Sequence, residues 1–553
     1  MLKTFSKTQL INAVFLLGIP LAYIIIYVIS SHQKGPYYWT PNQDPDYAYL
    51  MDSLNLVNLT SPEMYQHPGT TMQTLGAVVI AVSYWVQSLF NSNIAPLNDT
   101  VLGNPELYLE LTNYTLITIT GSCLLLLGVI TYKLSHNIFL SLILQTTPLV
   151  MAMSLIRNEP SRVAPEALLF CSSQLLVVFL VLYLFKPTVE RSLWFSIGLG
   201  MVLGIGLASK FTFLPLFLFL AIVPGVRQKL ITIGAATITF FLATLPIFDK
   251  YLTIWNWLIS LALNSEPYGK GEARVFSLNT VFKNLGRIIK AESLLMEFTA
   301  ILVIGCVLVV LFSHYGKGSF KTDIQNVHTK RLLFLSALTA IAVVCQMCLT
   351  AIEYYQSRYL IPSIALIGFI IFLIVQLYLP ILLPLGQSLL DRSNLTNSGM
   401  VIALALVIVL GIQQVHAASE LIIERSEVFQ ADLAKIQTLL TAPEYSSCTL
   451  TLSRRASTIP SGLKFAEFWA GKNYGNVLSR LYPQALFFNE DNKRYEDYVQ
   501  RLEFGDISQQ GQQCVLFQTN PLRGRRLAKY GPTRPIEAVF DGKAEALYRI
   551  IPD

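Results

Sequence analysis

The sequence predicts an all-α polytopic membrane domain of about eleven transmembrane helices plus interfacial helices, followed by a small C-terminal α/β domain outside the membrane. Three observations predict it. Of 553 residues, 53% are apolar and 13% charged, about half the charged share of an ordinary soluble chain. Apolar runs of about 20 residues, the length that crosses a hydrocarbon core, recur from Leu10 to residue 416. From Ser419 the runs stop, and mixed helix and strand patterns continue to Asp553. The expected division is residues 1–418 in the membrane and 419–553 outside it. A net charge of +6 is too mild for a nucleic-acid surface, so membrane lipids are expected partners and nucleic acid is not.

The first run, Leu10–Ile29, follows Lys3 and Lys7 and lacks a small-residue cleavage site. It reads as an uncleaved anchor with its N-terminus in the cytoplasm. Further runs fall near 113–132, 138–156, 164–185, 193–208, 211–224, 230–248, 294–312, 332–352, 360–384 and 400–416. Thr71–Phe90 is also long enough to span. Basic residues divide evenly between alternate loops, so charge bias does not place this segment. Parity does better. The loops at 157–166, around Lys210, at 249–293 and at 353–358 are separated by pairs of runs and share one face with the C-terminal domain. The loop at 31–70 joins them only if 71–90 makes no single crossing, so an interfacial or re-entrant helix is expected there. The shared face is then extracytoplasmic, on a multi-pass plasma (inner) membrane protein.

That face collects ionisable residues at the ends of spans. The first loop reads YYWTPNQDPDYAYLMDSLN, with Asp44 and Asp46 ahead of a helical pattern on Leu50, Leu54 and Val57. One Asp there is an ordinary N-cap. Two, with Pro45 between and Tyr47 and Tyr49 beside, suit a general base or a divalent cation site. His67-Pro68-Gly69 opens the 71–90 helix, where Pro is common punctuation. In RNEPSRVAPEALLF, Glu166 opens an apolar span. It serves either the helix dipole or a cavity, as ionisable groups at a membrane boundary do. Arg157, Glu159 and Arg162 read as a solvated rim. Lys210, between two apolar runs, either snorkels to headgroups or meets phosphate as a point charge. Lys270 and Arg274 lie in the Gly-rich YGKGEAR, a candidate lid. An amphipathic pattern over 278–290 follows, with Lys283, Arg287 and Lys290 on one side, suited to adhesion at headgroups or to a lipid-linked phosphate. AIEYYQSRYLIP sets Arg358 and Tyr359 at a span boundary, where Arg suits bidentate phosphate contact.

The order of these motifs resembles the GT-C glycosyltransferases: an acidic pair after the first span, HPxxx before a semi-apolar helix, an Arg/Pro/acid loop, a Lys two spans later, and RYLIP. The likeness covers roughly residues 10–380 and is nearest to bacterial relatives of the protein O-mannosyltransferases and the lipid A aminoarabinose transferase. It implies a polyprenyl-phosphate-linked sugar donor used on the extracytoplasmic face, a lipid, glycan or protein acceptor, and inversion at the sugar. By that resemblance the catalytic positions fall on Asp44, Asp46 and Glu166. The donor-phosphate positions fall on Lys210 and Arg358, with Tyr359, Lys270 and Arg274 near them. His67, Tyr47 and Tyr49 are then substrate contacts. Asp-Pro-Asp stands here where many members have adjacent Asp-Glu, which leaves open which aspartate is the base. Some members need a metal and others do not, so a divalent cation on Asp44, Asp46 and Glu166 also stays open.

The chief rival reading is a transporter or flippase of lipid-linked sugars. No internal repeat of the transporter kind stands out, and the acidic residues cluster in loops, which favours the enzyme. Cys123, Cys171, Cys306, Cys345 and Cys348 lie inside apolar runs as small hydrophobes. Cys448 and Cys514 open strand-like runs in the polar domain, and an extracytoplasmic location would allow them to pair. Strands are expected at Cys448–Ser453, Cys514–Thr519 and Glu545–Ile551. Trp469, Phe465, Phe468 and Tyr474 are either core or a sugar-stacking surface.

Overall fold

The computed structural model describes residues 7–66, 68–157, 162–186, 188–266, 270–273, 278–315, 326–352, 355–386, 392–489, 494–502, 514–530 and 536–550. In chain order the membrane part runs α1 (Lys7–Gln33), α2 (Thr40–Val57), α3 (Thr70–Phe90), α4 (Leu97–Gly103), α5 (Pro105–Ser135), α6 (Ile138–Gln145), α7 (Thr147–Val150), α8 (Ala152–Arg157), α9 (Pro165–Phe185) and α10 (Leu193–Ser209). A 3-10 helix, Phe211–Ile222, leads to α11 (Gly225–Ala243), α12 (Tyr251–Leu263) and a short hairpin of β1 (Asn264–Glu266) and β2 (Lys270–Ala273). Then come α13 (Leu278–Ala291), α14 (Ser293–Tyr315), α15 (Val327–Ile352), α16 (Ile361–Ile364), α17 (Ile367–Gly386) and α18 (Arg392–Thr441).

Hydrogen bonds between helix ends sort these elements onto two faces. On one face Asn12 at the start of α1 donates to Tyr132 at the end of α5, and Asn137 reaches Met400 near the start of α18. There too Arg331, near the start of α15, pairs with Glu190 just past α9 at 2.7 Å. On the other face Tyr37, past α1, donates its N–H to Glu106 in the first turn of α5 at 2.8 Å. Ser61 of the first loop holds Pro246 and Asp249 beyond α11. Asn284 of α13 donates to the carbonyl of Ala351 at the end of α15. This second face carries the candidate site.

Eight described helices are long and apolar enough to cross a membrane, or nine if the bent pair Ser357–Ile364 and Ile367–Tyr378 is one span. Eleven runs were expected. The difference has physical causes. The run at 138–156 is broken into α6, α7 and α8, where Gln145 turns inward and Pro148 interrupts the ladder. Its amide donates to the carbonyls of Leu16 and Leu124 at 3.0 Å each. The run at 193–208 is the 17-residue α10. The run at 211–224 is the 12-residue 3-10 helix, whose rise of about 2.0 Å per residue gives roughly 24 Å. These three still carry the chain between the faces, by shorter means.

The eighth long helix is α3, and both of its ends belong to the site face. Thr71 donates to Ser209, the last residue of α10, at 2.8 Å, and Gln87 donates to Tyr108 in the first turns of α5 at 3.3 Å. A helix tied at both ends to one face runs along that face. Val78, Val82, Trp85, Leu89 and Phe90 are exposed along it, as suits an interfacial helix.

The C-terminal domain holds a seven-stranded mixed sheet in the order β6-β5-β4-β3-β7-β9-β8. Its strands are β3 (Thr449–Leu452), β4 (Phe487–Asn489), β5 (Arg494–Glu496), β6 (Arg501–Leu502), β7 (Val515–Thr519), β8 (Ile536–Asp541) and β9 (Ala546–Ile550). The expected strands are β3, β7 and β9. The helices are α19 (Ile459–Ala470), α20 (Gly475–Leu481) and α21 (Pro521–Tyr530). Strands β3 and β7 are parallel neighbours, and a Cys448–Cys514 disulfide joins the residues just before them. The boundary expected at 418/419 falls inside α18, a single helix of 50 residues. Its upper half packs on the sheet, with Ile436 against Leu516 and Leu547, while Phe429 stacks on Trp39 of the first loop at 5.2 Å.

Candidate functional site

The first loop is fixed to the site face by buried carboxylates. Asp52 of α2 accepts from the backbone of Glu63 and Met64 and from Gln73 of α3, each at 3.0 Å. Burial pushes its carboxyl up to about 6. Glu106 accepts from Tyr37 N–H and from the Tyr47 hydroxyl at 2.7 Å. Across the domain boundary Glu545 accepts from Ser457 N–H at 2.9 Å, its hydroxyl at 3.0 Å, Gln518 at 3.0 Å and Thr40 at 3.4 Å. Burial lifts the Glu545 carboxyl to about 7. The start of α2 is therefore clamped between the membrane helices and the C-terminal domain.

Within that clamp the two aspartates have different surroundings. Asp46 is fully buried and meets Arg162 through Nε at 2.8 Å and Nη2 at 2.6 Å. The same guanidinium donates to the carbonyls of Pro41, Asn42 and Asp44. Arg162 is 8% exposed, so it is a latch that shapes the turn at Asp44, where a solvated rim was expected. Burial pushes the Asp46 carboxyl up to about 6, with Arg162 pulling the other way. Asp44 instead leaves its carboxylate 45% exposed, paired at 3.2 Å with Arg455 of the C-terminal domain. Its backbone is extended inside α2, which turns the side chain out of the helix stack.

A second cluster forms where α9, α10 and the 355–361 turn meet. Lys210, the residue capping α10, pairs with Glu166 in the first turn of α9, and both are buried. The Lys210 ammonium lies 4.9 Å from the Tyr359 ring centroid and the Arg358 guanidinium 5.6 Å from it. Gln346 of α15 holds the Tyr359 carbonyl at 2.6 Å, which fixes the turn. The expected Glu166, Lys210, Arg358 and Tyr359 thus come together, two cations over one ring and one carboxylate. A separate apolar groove of about 720 Å³ is lined by Leu56, Thr71, Thr74, Ile205, Leu242 and Leu245 among others, and none of the four cluster residues lines it.

Other expected contacts fall differently. Tyr47 is fully buried, its hydroxyl spent on Glu106 and its ring packed on Gly462 of α19. Tyr49 is also buried, its hydroxyl against Gly69, whose φ of +64° favours glycine and where a Cβ would meet that hydroxyl. Both tyrosines are buried and belong to one hydrophobic cluster. Lys270 opens β2, but its side chain lies outside the described residues, as do His67 and Arg274. Among the described residues no three His, Cys, Asp or Glu side chains converge as a metal cradle. Asp46 and Glu166 each already hold a buried cation, so the three carboxylates do not fit a shared divalent ion.

Sequence reading missed Arg455, whose partner Asp44 lies 411 positions away in the first loop, and Glu545, whose partners Ser457, Gln518 and Thr40 come from three separate segments. It also missed Glu292, a buried carboxylate at the α13–α14 turn that accepts from Ser154 of α8. The one available signal was an acid set between the amphipathic 278–290 pattern and the apolar run at 294–312.

Solved structures of ArnT from Cupriavidus metallidurans are similar to this chain. The form bound to undecaprenyl phosphate gives a TM-score of 0.48 at 10% identity, covering 96% of this chain and 97% of that one. The apo form gives 0.47 with the same identity and coverage. No protein-family model matches the sequence, and no curated protein matches it.

Proposed function

We propose that the chain is an integral membrane glycosyltransferase of the GT-C kind. It moves a sugar from a polyprenyl-phosphate donor to a cell-envelope acceptor on the face that carries the C-terminal domain. The observation that supports this best is the convergence of Lys210, Arg358, Tyr359 and Glu166 on the same face as an accessible Asp44. An apolar groove takes Ile205 from α10, the helix that Lys210 caps, and would suit a lipid chain. The Cys448–Cys514 disulfide accords with an oxidising compartment for that face.

In this reading Asp44 is the base and Asp46 is structural. The acceptor oxygen attacks the anomeric carbon, and its proton passes to the Asp44 carboxylate. The bond from that carbon to the phosphate oxygen breaks on the opposite side, and polyprenyl phosphate leaves with inversion at the sugar. Lys210 and Arg358 meet the growing negative charge in a cleft shielded from water. Glu166 holds Lys210 in place as a positioning residue, because a buried ammonium without a counter-ion would lose its charge.

The test is transfer from radiolabelled polyprenyl-phosphate sugars to envelope extract in reconstituted membranes. Product from wild type and a loss of about 10²–10⁴-fold in Asp44→Asn is the result for a lost general base. If no donor yields product while labelled lipid crosses the bilayer, the flippase reading replaces this one.

A further inference from the structure

The transfer chemistry leaves Glu545 unused, a fully buried carboxylate just before β9. One of its oxygens accepts from Ser457 N–H at 2.9 Å and from the Gln518 amide at 3.0 Å. The other accepts from the Ser457 hydroxyl at 3.0 Å. The Thr40 hydroxyl lies 3.4 Å from that second oxygen and donates to the Arg455 carbonyl at 2.6 Å. Thr40 N–H in turn donates to the Ser457 hydroxyl oxygen at 3.0 Å. Gln43 of α2 ties the same turn through the Ala456 carbonyl at 2.6 Å. The turn at 455–457 is therefore held between the start of α2 and Glu545. Glu545 is itself fixed from behind, because Asp432 of α18 accepts from the N–H groups of Ala544 and Glu545 at 2.7 and 3.2 Å. From this turn Arg455 lays its guanidinium 4.2 Å from the Phe465 centroid and 3.2 Å from the Asp44 carboxylate.

We infer that Glu545 is a positioning residue for Asp44: through Ser457 and Thr40 it sets the turn from which Arg455 reaches the base. The inference rests on the transferase reading and adds to it a residue that orients the base from another domain. Removing the Glu545 side chain leaves the buried Ser457 N–H and Gln518 amide without their acceptor, so the turn must shift to find others. The half-exposed pair of Arg455 and Asp44 is too weak to hold the turn by itself. A shift there is costly, since misplacing a reacting group by about 1 Å can lower a rate about 10²-fold. The junction works by shape. One Glu545 oxygen faces two N–H donors, and the other faces two hydroxyls, which rotate either to donate or to accept. A glutamine meets both demands and an alanine neither.

Two measurements on the full-length protein in phosphatidylcholine nanodiscs test this, and the first needs no transfer. Carbodiimide coupling of glycinamide, read by peptide mass spectrometry, reports how far Arg455 covers the Asp44 carboxylate. Glu545→Ala speeds coupling at Asp44 about 3-fold, the scale of a half-exposed pair. Arg455→Ala does the same, and the double variant couples no faster than either, because linked residues do not add. Glu545→Gln restores the wild-type rate. Coupling at Glu63, an exposed carboxylate beyond α2, stays unchanged throughout, which a general loosening of the first loop would not allow. The second measurement is transfer. Glu545→Ala lowers kcat about 10–100-fold and leaves the donor KM unchanged, and Glu545→Gln recovers the rate. If Glu545→Ala does not fold, Thr40→Val decides in its place, since it cuts the hydroxyl link to Glu545 and Arg455 and keeps the volume. Wild-type coupling at Asp44 in the folded variant overturns the inference, as does a matching rise at Glu63 or multiplying effects of Glu545 and Arg455. Failure of every donor in the transfer assay would sink the transferase reading, and the coupling rates would still decide whether Glu545 sets Asp44.

Discussion

At the residue scale the pair Asp44 and Asp46 shows what a short motif conceals. Two positions apart, they look interchangeable in DPD. One is buried on Arg162 and the other is exposed on Arg455, and neither partner is a neighbour in sequence. Local spacing found the acids but not their surroundings, because burial is decided by residues 116 and 411 positions away. Removing one member of a buried ion pair costs about 3–5 kcal/mol. Arg162→Ala is therefore expected to lower the thermal midpoint sharply, whereas Asp44→Asn changes it little, since a half-exposed pair contributes about 1 kcal/mol or less. Melting curves of both variants beside their transfer rates separate the two roles. Glu545 gives a pH signature. Its carboxyl stands near 7 in the folded chain against 4.5 for an unburied one, so the native state binds more protons and stability falls as pH rises between these values. Melting from pH 5 to 8 should show that fall, and Glu545→Gln should flatten it by about 3 kcal/mol.

At the element scale hydropathy located the apolar runs but not how each crosses. A window average responds to composition, so it cannot see that Gln145 spends its amide on two carbonyls or that twelve residues adopt a 3-10 rise. It did allow α3 to be set aside as an interfacial helix by parity, and the bonds of Thr71 and Gln87 show why that worked. Cysteines placed at Leu59 and Asn91, in a chain lacking other exposed thiols, should both react with an impermeant maleimide from one side of intact cells. Labelling from opposite sides would mean that α3 crosses. Close contact also sets helix spacing. Gly200 and Gly204 let α10 approach α11 so nearly that a Cβ on either would collide with the carbonyls of Thr232 or Ala236, the small-residue contact that membrane helices favour.

At the scale of the whole molecule, the C-terminal domain was the part least legible in sequence. Its shortest strands, β4, β5 and β6, span two or three residues each, below any periodic signal. Its continuity with the membrane part through α18 was hidden by the drop in hydropathy at Ser419, which falls inside the helix rather than at its end. The disulfide closes a separation of 66 residues, a loop whose removal from the unfolded state is worth about 4 kcal/mol. Cys448→Ser with Cys514→Ser should loosen the domain by that order, read by limited proteolysis and thermal melting. Asp44 and Arg455 are made at different times. They are 411 positions apart, and at ribosomal speeds of about 5–20 residues per second the second follows the first by roughly 20–80 s. A nascent chain whose membrane helices are already made therefore carries Lys210 and Arg358 before Asp44 has its Arg455 partner. On the proposed function the site is therefore complete only once the C-terminal domain has been made, and unfinished chains lack it.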